Sequence, residues 1–111
     1  MTEQLQKQIQ AQVAASHVHV FMKGTPAMPQ CGFSKAVCDV FNTLGVEFTA
    51  TNTLESLDAY RAALLSETQW PTIPQIFVDG EFIGGCDILI EMYNKGELQQ
   101  MLGLQTPATA D

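Results

Sequence analysis

No stretch of this sequence approaches the roughly 18 consecutive apolar residues that a membrane-crossing helix needs. The richest candidate, CDILIEMY, is interrupted by Asp87 and Glu91, so no membrane span is expected. Basic residues are scarce: five Lys and Arg against twelve Asp and Glu leave a net charge of -7. A field of that sign repels phosphate backbones and anionic lipid heads, which disfavours nucleic acid and membrane surfaces as partners. The N-terminal MTEQLQKQIQAQVAAS carries glutamines where a secretory leader has its apolar run, so no leader is expected. Cysteine is sparse and odd in number, three residues, which argues against a disulfide scaffold and suits a reducing compartment. The expectation is cytoplasm, or an organelle matrix if a transit peptide has been removed.

What is present suits a single domain. At 111 residues and 46% hydrophobic content the chain can bury its own core without a metal or disulfide staple. Neither a repeat nor a linker divides it. We expect one domain over 1–104 and a flexible tail over 105–111.

Periodicity orders the elements. Leu5, Ile9 and Val13 recur at helical spacing within 2–15, and HVHVFMKG, residues 17–24, alternates and then runs apolar as a buried strand. After the loop TPAMPQ, Phe33, Ala36, Val37, Val40, Phe41 and Leu44 mark a second helix from Gly32, with Gly45 as its C-cap. VEFTAT, residues 46–51, is expected to be a second strand. A third helix follows over 54–68, with Leu54, Leu57, Ala62, Leu64 and Leu65 available for its core stripe. Asp79-Gly80 supplies the positive φ values of a tight hairpin between two short strands. Cys86–Asn94 is helical, and Gly96 separates it from a short last helix. The order α-β-α-β-α-β-β-α predicts an α/β fold, a mixed four-stranded sheet flanked by helices on both faces.

Chemistry concentrates at Cys31. A thiol acts as nucleophile or metal ligand only as a thiolate, and the open N–H groups of a helix start lower its pKa. Cys31 stands where the proline loop meets the second helix, and Lys23 at the end of the first strand adds positive charge. Ser34 occupies the place where a redox pair would carry its second cysteine. The alternative is that Cys31 is only a small residue at a helix start. Cys38, on a face shared with Val37 and Phe41, is expected in the core. Cys86 follows Gly84-Gly85 at another helix start, which can activate it in the same way. That Gly-Gly pair either opens backbone N–H groups to a carboxylate or merely turns the chain. Pro74, in WPTIPQ, is a candidate for a cis bond that exposes the backbone of the preceding residue, although few X-Pro bonds are cis. His17 and His19 share one side of a strand; two histidines without further ligands fit a solvent-facing strand start better than a metal site.

Taken in order, MKGTP, PQCGFS, WPTIPQ, DGEFIGG and CDILIEMYNKGEL resemble the monothiol glutaredoxins of the CGFS type, from about Val18 to Leu102. The resemblance implies a thioredoxin-like fold and makes the cis bond at Pro74 expected. It also implies glutathione as a ligand. Lys23, and less directly Arg61, would pair with the glycine carboxylate; Ile73 would pair through its backbone with the cysteinyl part; Cys86 and Asp87 would meet the γ-glutamyl end. The family's main role implies a [2Fe-2S] cluster bridging a homodimer, with Cys31 and one glutathione thiolate from each side, passed to iron–sulfur acceptor proteins, with BolA-type proteins as further partners. The same thiol and groove would also serve a glutathione-dependent thiol-disulfide oxidoreductase acting on glutathionylated proteins, expected to be weak here. A third possibility is a thioredoxin-like domain that only mediates protein interaction. The family's fold brings the GGCD turn near the active cysteine, which implies a Cys31–Cys86 disulfide when cluster and glutathione are absent.

Overall fold

Strand β1 (Val18–Met22) is buried at every position because it runs through the middle of the sheet and carries a helix layer on each face. In a computed structural model that describes residues 2–104, four strands lie in the order β2-β1-β3-β4. The tail expected at 105–111 lies outside the described residues. Strand β1 pairs parallel with β2 (Thr49–Asn52) and antiparallel with β3 (Gln75–Val78), which in turn pairs antiparallel with β4 (Glu81–Gly84). The sheet is therefore mixed, as the element order predicts.

Side chains of β1 alternate between two cores. Val18, Val20 and Met22 join Val37, Cys38, Val40 and Phe41 of helix α2 (Gly32–Leu44), Leu89 of α4 (Cys86–Lys95) and Leu98 of α5 (Glu97–Met101). Phe21, pointing the other way, meets Ile9 and Val13 of α1 (Thr2–Ala14) and Ala63 and Leu64 of α3 (Leu57–Thr68). Phe21 and Phe41 are wholly buried, each stabilising the fold by about 1.5–3 kcal/mol through removal from water.

Helix α2 spans the expected residues and ends on Gly45, whose φ of 70° reverses the chain. Asp79 and Gly80 both adopt positive φ, 51° and 84°, and close the β3–β4 hairpin as their sequence predicts.

Three expectations need correction. The second strand begins at Thr49 rather than at residue 46, because Val46 and Phe48 pack on the first core from an irregular segment before the chain reaches register with β1. The third helix is preceded by a 3-10 turn over Leu54–Ser56, which rotates its buried face: Ala63 and Leu64 are buried and Leu57 and Tyr60 partly so, while Leu54, Ala62 and Leu65 are exposed. His19 does not face solvent but is 4% exposed. Its Nδ1 lies 2.6 Å from Thr49 Oγ1 and its Nε2 2.8 Å from Thr51 Oγ1, so two threonines of β2 satisfy the ring inside the sheet layer. His17 alone is exposed, paired with Asp79 across the sheet end.

Candidate functional site

The sheet delivers Lys23 to its C-terminal edge, one residue past β1, and the next seven residues fold back on it. Gln30 N–H donates to Lys23 O at 2.9 Å, Met28 N–H to Thr25 O at 3.0 Å, and Gly24 bridges to Pro29. Gly24 is required there: φ is 92°, and a Cβ would stand 2.6 Å from both Met28 O and Gln30 N. The loop TPAMPQ is thus a closed turn that sets Cys31 beside the end of β1.

Cys31 is the N-cap of α2 in extended conformation, with φ of -147°, and its carbonyl accepts the first helical bond from Lys35 N–H at 2.9 Å. Partial burial disfavours its charged form, but the backbone N–H groups of Ser34 and Phe33, the Lys23 ammonium and the Ser34 hydroxyl together outweigh that, and the pKa lies below the ordinary thiol value. The residue is partly exposed. It is an activated, accessible thiol and not only a small residue at a helix start.

Ser34 explains its own presence. Its side chain is fully buried and its Oγ accepts a hydrogen bond from Lys23 N–H at 3.1 Å, tying the strand end to the first turn of the helix. Having accepted there, the hydroxyl keeps its proton for the Cys31 sulfur. Ser34→Ala is expected to raise the Cys31 pKa and, by leaving a buried N–H unpaired, to cost about 1–3 kcal/mol of stability. The pH dependence of Cys31 alkylation checks the first effect; a midpoint that stays put or falls would remove the serine from the activation of the thiol.

The other two cysteines are not activated. Cys38 is core, as expected: 2% exposed, its thiol 3.8 Å from Met22 Sδ, with its pKa raised by burial and by Asp39. Cys86 departs from expectation. It does begin α4, but it is buried, and burial, the Asp87 carboxylate and charge on Cys31 all push its pKa up. The helix start is open, yet the sulfur gains nothing from it.

A cavity of about 340 Å³ brings together Lys23, Arg61, Ile73, Cys86 and Asp87, the five residues that the resemblance assigns to one ligand, together with Pro74. Cys31 does not line it, but Phe33 does, and from its wall Lys23 favours the Cys31 thiolate while Cys86 is pushed up by the charge on Cys31. Lys23 has no carboxylate within 4.0 Å among the described residues, and Arg61 is exposed with only a loose contact to Asp58 at 3.8 Å. Two cations and the exposed Asp87 therefore face one concavity, a charge pattern suited to a small zwitterion. The Ile73–Pro74 bond is cis, as the resemblance leads one to expect. A larger cavity of about 950 Å³, bounded by Ser16, Asn42, Phe48 and Leu102, holds no cysteine and no Lys or Arg among the described residues and is not part of this site.

Phe33, Trp70 and Thr72 also line the cavity, and the sequence assigns none of them a role there; Gly85, of the Gly-Gly pair, lines it too. Trp70 packs so closely over Gly85 that a Cβ at residue 85 would stand 3.0 Å from its Nε1. The Trp-Pro dipeptide ahead of the cis bond was the available signal. Among the described residues no group of three or more His, Cys, Asp or Glu is arranged to hold a metal ion.

Comparison with known proteins agrees with this geometry. Residues 18–83 match the family model described as Glutaredoxin. A monothiol glutaredoxin of Synechocystis is 47% identical over 102 residues, covering 92% of this chain and 94% of its own. Glutaredoxin 4 of Escherichia coli is 45% identical over 96 residues, 86% of this chain and 83% of its own. Among solved structures, a buckwheat glutaredoxin–glutathione complex superposes with a TM-score of 0.83 at 31% identity, over 92% of this chain and 90% of that one. With its thioredoxin-like sheet and a Cys-Gly-Phe-Ser helix start whose serine is built into the strand end, this chain belongs to the glutaredoxin family, among the monothiol glutaredoxins.

Proposed function

We propose that this glutaredoxin binds glutathione in the cavity beside Cys31 and, with it, holds a [2Fe-2S] cluster that it passes to acceptor proteins. One observation carries this reading. The single accessible, activated thiol stands beside a groove whose lining includes two cations and a carboxylate, and no second thiol lies within its helical turn. Lys23 and Arg61 would meet the glycine carboxylate, the Ile73 backbone the cysteinyl residue, and the Cys86 N–H and Asp87 carboxylate the γ-glutamyl end. A ligand held at both charged ends brings its own sulfur toward Cys31.

The cluster, as cargo, takes four ligands, and this chain offers one accessible thiolate. Two chains and two glutathiones make four thiolates, so the reading requires a homodimer assembled around the cargo. Because half of the ligands are exchangeable small molecules, release to acceptors needs no protein to unfold. BolA-type proteins, implied by the family resemblance, belong to the same proposal, as does a reducing compartment that keeps all three thiols free. Anaerobic reconstitution with iron, sulfide and glutathione tests it.

The second reading is a thiol-disulfide oxidoreductase. Cys31 thiolate would attack the glutathione sulfur of a glutathionylated protein, expelling the protein thiolate; the thiolate of a second glutathione would then attack the glutathione sulfur of the mixed disulfide, releasing Cys31 thiolate and glutathione disulfide. The raised pKa of Cys86 and the absence of a second thiol within the helical turn of Cys31 favour only slow turnover.

Oxidation without cargo gives a separate expectation. The Cys86 thiolate would attack the Cys31–glutathione disulfide at the Cys31 sulfur, expel glutathione thiolate and close a Cys31–Cys86 bond, faster at alkaline pH because the Cys86 pKa is raised. Mass spectrometry of the protein treated with glutathione disulfide should show loss of glutathione with time; a stable Cys31 adduct beside free Cys86 at pH 9 would count against it.

A further inference from the structure

The segment from Trp70 to Pro74 supplies four residues to the wall of the cavity: Trp70, Thr72, Ile73 and Pro74. Outside the regular elements, no backbone–backbone hydrogen bond among the described residues involves this segment. Side chains hold it instead, and one residue makes most of the bonds. Gln75 is the first residue of β3, anchored in the sheet opposite Phe21, and is fully buried. Its Nε2 donates to Trp70 O at 2.9 Å and to Thr72 O at 3.1 Å. Its Oε1 lies 3.1 Å from Thr68 Oγ1, whose single proton it shares with Leu64 O at 2.9 Å, and that same hydroxyl oxygen accepts from Trp70 N–H at 3.1 Å.

Both amide protons of Gln75 are thus spent on the loop, and its carbonyl faces the hydroxyl at the end of α3. A core position one residue beyond a loop needs only an apolar side chain; a carboxamide with every bond aimed back along the chain is a staple. Because it fixes the carbonyls on either side of Pro71, it also fixes which way the next residue, Ile73, presents its backbone.

We propose that Gln75 is a positioning residue: its buried carboxamide holds the 70–74 loop in the shape that presents Ile73 to the peptide part of glutathione. This rests on the reading of the cavity as a glutathione groove. Gln75→Met keeps the side-chain volume and removes both donors, so the loop loses its preorganised shape while the sheet keeps its strand. Among the described residues neither Cys31 nor Lys23 is hydrogen-bonded to Gln75, and none of the groups that lower the Cys31 pKa is Gln75, so the intrinsic reactivity of the thiol is expected to stay unchanged.

The experiment measures two exchange equilibria of the apo protein. In each, Cys31 thiolate attacks one sulfur of a disulfide, the S–S bond breaks, a mixed disulfide forms and one thiolate leaves. Glutathione disulfide uses the groove, whereas hydroxyethyl disulfide has no peptide to place there. Gln75→Met is expected to lower the equilibrium constant for glutathione about tenfold or more and to change that for hydroxyethyl disulfide less than about twofold. Val13→Ala, destabilising from α1, serves as the control for stability and should move neither. If both constants fall together in Gln75→Met, or neither falls, the staple has no positioning role. Should Gln75→Met fail to fold, Thr68→Val, which removes the donor to Oε1 and the acceptor of Trp70 N–H but leaves both amide donors of Gln75 in place, is judged by the same two constants and a smaller selective loss. A wild-type protein with no preference for glutathione over hydroxyethyl disulfide would instead overturn the glutathione reading itself.

Discussion

Cys31→Ser, reconstituted anaerobically with iron, sulfide and glutathione, is expected to show no visible iron–sulfur absorbance and to remain a monomer by sizing. The reasoning starts from ligand chemistry. A cluster iron takes a thiolate, and Cys31 is the one thiol that is both partly exposed and shifted toward its charged form. A serine hydroxyl in the same place stays protonated at neutral pH, and glutathione alone then supplies two of four ligands. Neither remaining cysteine can substitute. Cys38 is sealed in the core against Met22, and Cys86 is buried with its pKa pushed up. Cys38→Ala should therefore retain the chromophore. An equal yield of chromophore in Cys31→Ser would place the cluster elsewhere and end the assignment of Cys31 as its ligand.

Lys23→Glu carries the second large effect, because one side chain serves two tasks. It faces the cavity without a competing carboxylate within 4.0 Å among the described residues, and its positive charge favours the Cys31 thiolate. Reversing that charge sets like charge against the glycine carboxylate of glutathione, which should weaken binding about 10- to 100-fold. It also sets like charge near the sulfur. The thiolate becomes less favourable, the Cys31 pKa rises, and alkylation at neutral pH slows while its pH midpoint moves up. Both effects should shrink in high salt, because Lys23 is only half-buried. Arg61→Ala should weaken glutathione less than tenfold, since the guanidinium is exposed and already shared loosely with Asp58. Titration of glutathione against each variant, with alkylation rates over pH, separates the two tasks. A Lys23→Glu protein that binds glutathione as the parent does would remove the carboxylate from this end of the groove.

The order of elements and the position of the thiol were legible because they follow from local rules. Helical spacing and a left-handed glycine bound α2 at both ends, and Asp79-Gly80 admits the hairpin turn that forms. The convergence of the cavity residues was legible only through the resemblance. Lys23, Arg61, Ile73 and Asp87 are spread over 65 residues of sequence, and no periodicity links them. What stayed hidden depends on tertiary partners. His19 looked solvent-facing because a histidine at a strand start is polar; only register with β2 reveals Thr49 and Thr51 on either side of its ring. The stripe of α3 turned because a 3-10 entry, which obeys a different period, precedes it. Cys86 looked activated because a helix start was counted without the burial and the two negative charges that oppose it. Ser34 looked like an omission until its bond to Lys23 N–H showed what a hydroxyl does there.

The most direct test of the central claim is the mass of the reconstituted protein measured under native conditions, alongside its visible spectrum. The account predicts a species of two chains, one [2Fe-2S] cluster and two glutathiones, which falls apart to monomers when glutathione is removed. A cluster carried by a single chain, or by a dimer that contains no glutathione, would contradict it.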